Sequence, residues 1–226
     1  MGLKDRFKTW ERSLRASYNV DLSTPENRRR AAIHNAWFDH GILRALWANF
    51  SEIAPGVYRS NHPTRRRFAK MKAMGIHTVL NLRGVSQSAQ HWTEAEICRD
   101  LDLRLISIPL RARAAAPRAE IETLLKTFRT IDRPFVMHCK SGADRSGFAA
   151  AIWLMVMEGC PVEEARKMLS PRYIHFRFTK SGILDYILDS YAARNARAPL
   201  PFADWIATEY DHAALQDRFD RKVPAS

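Results

Sequence analysis

The chain of 226 residues can bury one sizeable core, and its 46% hydrophobic and 27% charged residues exclude a disordered polypeptide. An excess of 36 Lys and Arg over 24 Asp and Glu gives a formal charge of +12, which points to phosphate-bearing partners: nucleic acid, anionic membrane or phosphorylated substrate. Three scattered cysteines (Cys98, Cys139 and Cys160) exclude a disulfide framework or a CxxC metal site, and the absence of a signal-peptide pattern or an apolar run of ~18 residues leaves a cytoplasmic protein as the expectation.

At the N-terminus Leu3, Phe7, Trp10 and Leu14 recur at helical spacing, with Lys4, Arg6, Lys8, Arg12 and Arg15 on other faces. This basic amphipathic helix can dock on the main domain, or residues 1–18 can make peripheral contact with an anionic membrane. "STPENRRR" supplies a cap and a Pro that open a second helix, and "ILRALWANF" sets Ile42, Leu43, Leu46, Trp47 and Phe50 on one face as core or docking positions.

From Ser51 the pattern changes to short β-rich runs alternating with helices. Strands are expected at Gly56 to Ser60, His77 to Arg83, Leu103 to Leu110 and Pro134 to His138. Between them fall a helix at Thr64 to Met74, with Phe68, Met71 and Met74 inward, and one opened at Thr93 by a capping box with Glu96. A third opens at Pro117 with Ile121, Leu124, Leu125, Phe128 and Ile131 on one stripe. Gly147 to Met157 is almost wholly apolar, hence a buried helix, and "CPVEEARKML", "TKSGILDYILDSY" and "PFADWIATEYDHAALQDRF" read as three more. The alternation predicts an α/β domain with a largely parallel central sheet of four to five strands flanked by helices. The division expected is a helical extension over 1–50, a main domain over 51–193, and a C-terminal linker and helix over 194–226.

The loop "HCKSGADRSG" sits where a parallel sheet places its binding sites, at the carboxyl end of a strand. Its N–H groups, with those of the following helix's first turn, can converge on an anion over residues Lys140, Ser141, Gly142, Ala143 and Asp144. Arg145 can grip two oxygens of a tetrahedral oxyanion. The same donors and positive helix end would stabilise a Cys139 thiolate; Ser146 can donate to that sulfur, His138 can orient the cysteine, and Gly142 permits a tight turn.

These residues resemble the phosphate-binding loop of the protein tyrosine phosphatase superfamily, and the chain is similar to its bacterial dual-specificity-like members. "VYRSNHPT", "GIHTVLNLRG" and "LISIPL" extend the resemblance over residues 51–191. It implies that fold, and a two-step reaction through a phosphocysteine that requires neither metal nor cofactor. The expected substrate is phosphotyrosine or a dual-specificity phosphoprotein. The usual general acid of the pattern, an Asp after the strand corresponding to "LISIPL", is missing, because "IPLRARAAAP" holds no carboxylate. A subset of the family is similar in carrying Asp immediately before the loop arginine, and Asp144 matches it. Like charge on a bound phosphate would favour the protonated carboxyl that an acid must be.

Asp100, Asp102, Glu120 and Glu122 read as solvated charges. Lys140 matches a position where phosphoinositide phosphatases of the superfamily carry Lys; with Arg111 and Arg113 it keeps a phospholipid or inositol phosphate substrate open. A catalytically silent phosphate-binding module is the third reading. A sulfurtransferase is disfavoured by the His-Cys pair and the Arg-Ser-Gly exit. No nucleic-acid partner is expected, because the Arg clusters are not interleaved with stacking aromatics on one surface. His175, in "SPRYIHFRFTKSG", is too isolated in the sequence to be assigned a role.

Overall fold

The computed structural model describes residues 5, 9, 13, 17, 20–34 and 47–225. Asp5, Thr9, Ser13 and Ser17, spaced four apart, are helical and exposed, as one polar face of the expected N-terminal helix. Its apolar stripe, with Ile42, Leu43 and Leu46, lies outside the described residues. Helix α1 (Pro25–Ile33) follows; the Thr24 side chain accepts from the Asn27 N–H, and Pro25 occupies the first turn, where its missing N–H costs nothing.

The sheet comprises β1 (Ser51–Ala54), β2 (Val57–Ser60), β3 (Thr78–Asn81), β4 (Arg104–Ser107) and β5 (Phe135–His138), in the order β1-β2-β5-β3-β4. All pairs are parallel except β1 with β2, an antiparallel hairpin turned at Pro55 and Gly56. The sequence reading missed β1, and its Pro-Gly turn was the signal that could have found it. Ser60, His138 and Asn81 align in register, with Ser107 beside Asn81, so four chain segments leave the sheet at one carboxyl edge. That row positions the site.

Period-two alternation divides the sheet between two cores. Val79 and Val136 pack with Phe68 and Met71 of α2 (Arg65–Ala73) and with Ile97 of α3 (Ala89–Asp100). Leu80, Phe135 and Met137 face the other way. They pack with Ile121, Leu124 and Phe128 of α4 (Arg118–Thr130), and with Phe148 to Leu154 of α5 (Asp144–Met157). Short α6 (Val162–Ala165) runs into a 3-10 turn, and α7 (Ile183–Arg197) completes that layer.

Several local expectations differ. Met74 caps α2 and is half exposed rather than inward. Helix α3 starts four residues before Thr93, at Ala89, so the capping box is not used: Thr93 Oγ1 donates to the Ala89 carbonyl within the helix, and Glu96 pairs with Arg28 of α1 at 2.8 Å. Helix α5 starts at Asp144, three residues before Gly147. The last helix is two, α8 (Phe202–Thr208) and α9 (His212–Asp220), because Asp211 accepts from the Ala213 and Ala214 N–H groups and opens a second helix. Phe202, Trp205, Ile206, Tyr210 and Leu215 join the larger core, and Tyr210 Oη donates to the Ala116 carbonyl at 2.7 Å. Among the described residues no helix is long and apolar enough to cross a membrane.

Candidate active site

Strand β5 ends at His138, and residues 139–143 turn into α5 at the carboxyl edge of the sheet. Cys139 lies at the bottom of this loop, buried. Burial alone would push its thiol up. The Arg145 guanidinium, the Ser146 hydroxyl and the backbone N–H groups of Ser146 and Gly142 outweigh it and hold the thiol below its ordinary value. The surrounding donors thus favour the thiolate over what burial alone would allow. The Ser146 hydroxyl also lies 3.3 Å from the Ser60 carbonyl, a weaker partner for its single proton.

The cradle needs Gly142. Its φ is +73°, and an added Cβ would come within 2.6 Å of the Asn61 nitrogen and 2.7 Å of Asn49 Cβ. The loop is braced from beneath by Arg59 of β2, which is fully buried. This arginine donates to the carbonyls of Gly142 (2.6 Å), Ala143 (3.2 Å) and Met168 (2.7 Å), and its guanidinium stacks 3.7 Å over the Tyr173 ring. Burial lowers Arg59 to about 10, which still leaves it charged at neutral pH. Asn49 Nδ2 donates to the carbonyls of Ser141 (3.0 Å) and Tyr173 (2.8 Å), tying the cradle to the segment after α6. Sequence reasoning missed Arg59 and Asn49, since neither belongs to a local pattern.

Above the cradle opens a cleft of about 790 Å³ lined by residues that include Lys140, Ser141, Asp144 and Arg145 of the loop, together with Arg111 and Arg113 from "IPLRARAAAP". Trp47 also lines it and is partly exposed, so it faces this cleft rather than the core; Phe50 instead stacks on Tyr58. Asp144 is the one carboxylate lining the cleft among the described residues. Asp100 is paired with Arg65, Asp102 with Lys72 and Glu120 with Arg111, while Glu122 lies on α4 away from the lining. Ser146 and His138 lie behind the lining, fully buried.

His138 Nδ1 is 3.3 Å from the Cys139 carbonyl, and its Nε2 faces Glu94 Oε1 of α3 at 2.5 Å. Glu94, a third residue the sequence did not mark, takes the Asn81 amide at 2.8 Å on its other oxygen. His62, Glu94 and His138 have ligand atoms within 4.8 Å of one another, a donor set of the kind that takes zinc. Glu94 and His138 already face each other at 2.5 Å, so a metal would have to part them. His175, isolated in the sequence, comes to Asp144: its Nδ1 lies 2.7 Å from Asp144 Oδ1.

Residues 48–177 match the family model described as PTP-SAK, the Swiss Army Knife protein DSP-PTPase phosphatase domain. The chain belongs to this family. Its matched span runs from just before β1 through the cradle to the segment carrying His175, so the phosphatase domain contains every residue of the cleft described above except Trp47. The domain is similar to the dual specificity protein phosphatase TpbA of Pseudomonas aeruginosa, with 26% identity over 113 residues, 49% of this chain and 48% of the relative. The chain thus spans about half the length of the curated relatives it matches. The crystal structure of P. aeruginosa TpbA superposes with a TM-score of 0.51 at 20% identity, covering 66% of this chain and 91% of that one. A DUF442 protein from Shewanella putrefaciens CN-32 gives 0.51 at 15%, covering 65% and 90%. At these identities the likeness is one of fold: a mixed α/β domain with a five-stranded sheet flanked by helices.

Proposed function

We propose that the protein hydrolyses phosphate monoesters through a phosphocysteine, most directly on phosphotyrosine or other phosphoprotein side chains. The observation that carries this reading is the buried Cys139 thiol, held low by Arg145, Ser146 and converging N–H groups at the foot of a cationic cleft. In the first step the Cys139 thiolate attacks phosphorus, the bond to the leaving oxygen breaks, and Asp144 gives that oxygen its proton. Arg145 and the loop N–H groups of residues 140–145 hold the phosphoryl oxygens as charge redistributes among them. In the second step water attacks phosphorus, Asp144 takes the water proton, and the S–P bond breaks. The thiolate departs toward the Ser146 hydroxyl and inorganic phosphate is released.

Family membership supports the reaction class, and the position of Asp144 on the cleft supports its role as acid, in the absence of a carboxylate from residues 108–117. The 26% identity to a dual specificity protein phosphatase supports phosphoprotein as the first substrate class. A second reading, a phospholipid or inositol phosphate, is favoured by one observation: Arg111, Arg113 and Lys140 join Arg145 around the cleft, more cationic groups than a single phosphate requires. The silent-module reading is disfavoured because the sequence keeps Cys139, Asp144 and Arg145 together on one loop.

The test is a phosphate-release panel of phosphotyrosine, phosphoserine and phosphoinositide substrates with Cys139→Ser as blank. Release by the intact protein and none by the variant is expected; turnover surviving in Cys139→Ser removes the nucleophile assignment. Asp144→Asn should slow an alkyl phosphate ~100-fold or more and p-nitrophenyl phosphate far less, since an aryl leaving group needs little protonation. Equal loss on both removes Asp144 as the acid.

A further inference from the structure

His175 lies between two carboxylates. Its Nδ1 is 2.7 Å from Asp144 Oδ1 in the first turn of α5, and its Nε2 is 2.7 Å from Asp185 Oδ2 in the first turn of α7. The imidazole is 1% exposed, against 11% for the Asp185 side chain and 27% for that of Asp144. A ring that donates to both carboxyl groups must carry a proton on each nitrogen, and an Asp144 whose Oδ1 accepts from Nδ1 keeps Oδ2 to carry the proton of an acid. Burial alone would lower His175, but the hydrogen bonds and charges of Asp144 and Asp185 outweigh it and raise it to about 9. The three side chains form an Asp–His–Asp chain from the base of α7 to the cleft.

The segment that delivers the ring is strained. Ile174 has φ 60° and ψ 32°, the left-handed region, which a β-branched residue seldom adopts, and it is partly exposed on the cleft lining. This turn lets Tyr173 bury itself beneath Arg59 on one side while His175 buries itself against Asp144 on the other. The strain is held by two fixed neighbours: the Tyr173 carbonyl accepts from Asn49 Nδ2 at 2.8 Å, and the His175 N–H donates to the Ser170 carbonyl at 3.2 Å. The same turn that buries Tyr173 beneath Arg59 thus places the His175 ring against one oxygen of Asp144.

We propose that His175, backed by Asp185, is the positioning residue of this active site, holding Oδ1 of Asp144 so that the second carboxylate oxygen faces the leaving group. The inference rests on Asp144 as the proton-handling group. An unrestrained Asp144 can rotate about χ1 and χ2, and a misplacement of ~1 Å is enough to cost on the order of 100-fold in rate. The role therefore shows in turnover of substrates that need the acid, and little in binding.

The experiment measures kcat and KM on glycerol 2-phosphate and on p-nitrophenyl phosphate for the intact protein and for His175→Ala, His175→Asn, Asp185→Asn, Asp144→Asn and the Asp144→Asn/His175→Ala double variant. His175→Ala is expected to lower kcat on the alkyl substrate ~100-fold, with KM within ~3-fold and the aryl substrate within ~5-fold. His175→Asn, whose amide can donate to Asp144 from nearly the position of Nδ1, should recover ~10-fold of that loss. In the Asp144→Asn background His175→Ala should add nothing, because a residue acting through Asp144 has no further route. Equal loss on both substrates, or a full additional loss in the Asp144→Asn background, overturns the proposal while leaving Asp144 as the acid. An Asp144→Asn variant that itself slows both substrates equally removes the acid reading, and this inference with it. Should His175→Ala fail to fold, Asp185→Asn keeps the ring and the packing and carries the test: selective loss on the alkyl substrate supports the proposal, and unchanged turnover on both overturns it.

Discussion

Nε2 of His138 faces Oε1 of Glu94 at 2.5 Å, with both side chains wholly buried, directly behind Cys139. The pair joins β5 to α3, and its other contacts, Cys139 on one side and Asn81 on the other, make it the inner wall of the cradle. Burial alone would raise Glu94, but His138 and His62, with Arg83, bring it down to about 2. Glu94→Ala leaves a buried histidine without its partner and is expected to cost about 3–5 kcal/mol in urea unfolding; a loss under about 1 kcal/mol would mean that the pair is not coupled to folding. Because the folded carboxyl lies below its ordinary 4.5, its contribution is present above that value and is lost as pH falls toward about 2. The acid limb of the stability curve should accordingly flatten in Glu94→Gln.

The three thiols should separate by reactivity. Burial pushes the Cys98 thiol up to about 12, with Glu94 adding to the effect, whereas Cys139 is held below its ordinary value. Iodoacetate at pH 6 should therefore alkylate Cys139 first and spare Cys98, and inorganic phosphate should protect Cys139 by occupying the cradle. Peptide mapping by mass spectrometry reads the result. Modification of Cys98 ahead of Cys139 contradicts the assignment.

Gly142 is the position at which the cradle has no room. An added methyl meets backbone nitrogen at 2.6 Å and must also adopt a positive φ, so Gly142→Ala has to move the loop away from β2. Loss of kcat/KM by about 100-fold is expected, that being the order of cost for displaced reacting groups. Activity within a few-fold of the intact protein would show that the turn can open without disturbing the donors.

Arg59 fastens the cradle to Met168 through hydrogen bonds on both terminal nitrogens and a stack on Tyr173. Arg59→Met would strand the Gly142 and Met168 carbonyls and should lower stability by about 2–4 kcal/mol, together with turnover. Arg59→Lys should not rescue it, since one ammonium cannot reproduce a planar fork that bridges two loops and lies flat on a ring. Thermal denaturation and p-nitrophenyl phosphate turnover of the two variants provide the check, and full rescue by lysine would argue for charge alone.

The Asp144–His175–Asp185 chain gives the opposite pH sign from Glu94. His175 is raised from 6.5 to about 9, so its contribution is fully present below 6.5 and is lost as pH rises through about 9. The intact protein should lose stability over this range, and His175→Gln should lose less. Denaturant midpoints taken every half pH unit from 6 to 10 measure the difference.

The fold was legible because its signals are local. Four of the five strands and the apolar stripe of α4 follow from period-two and period-3.6 patterns that do not depend on distant residues. Where an expectation failed, a nearer competitor had won: Ser88 opened α3 ahead of Thr93, and Asp211 divided the last helix. That Cys139, Asp144, Arg145 and Ser146 lie together was legible because they are neighbours on one strand-to-helix loop, so local spacing alone brings them to one place.

By itself the sequence determined the α/β order, the strand-loop-helix that holds Cys139, and the lack of a carboxylate in residues 108–117. Only the tertiary structure decided what supports that loop. Arg59 is 83 positions before Gly142 in the chain, Glu94 approaches from another helix, and His175 reaches Asp144 from 31 positions away. The parallel sheet ends its strands along one edge, so residues remote in sequence arrive at one place. Whether a histidine there is surface or site depends on that arrival, which carries no local period to read.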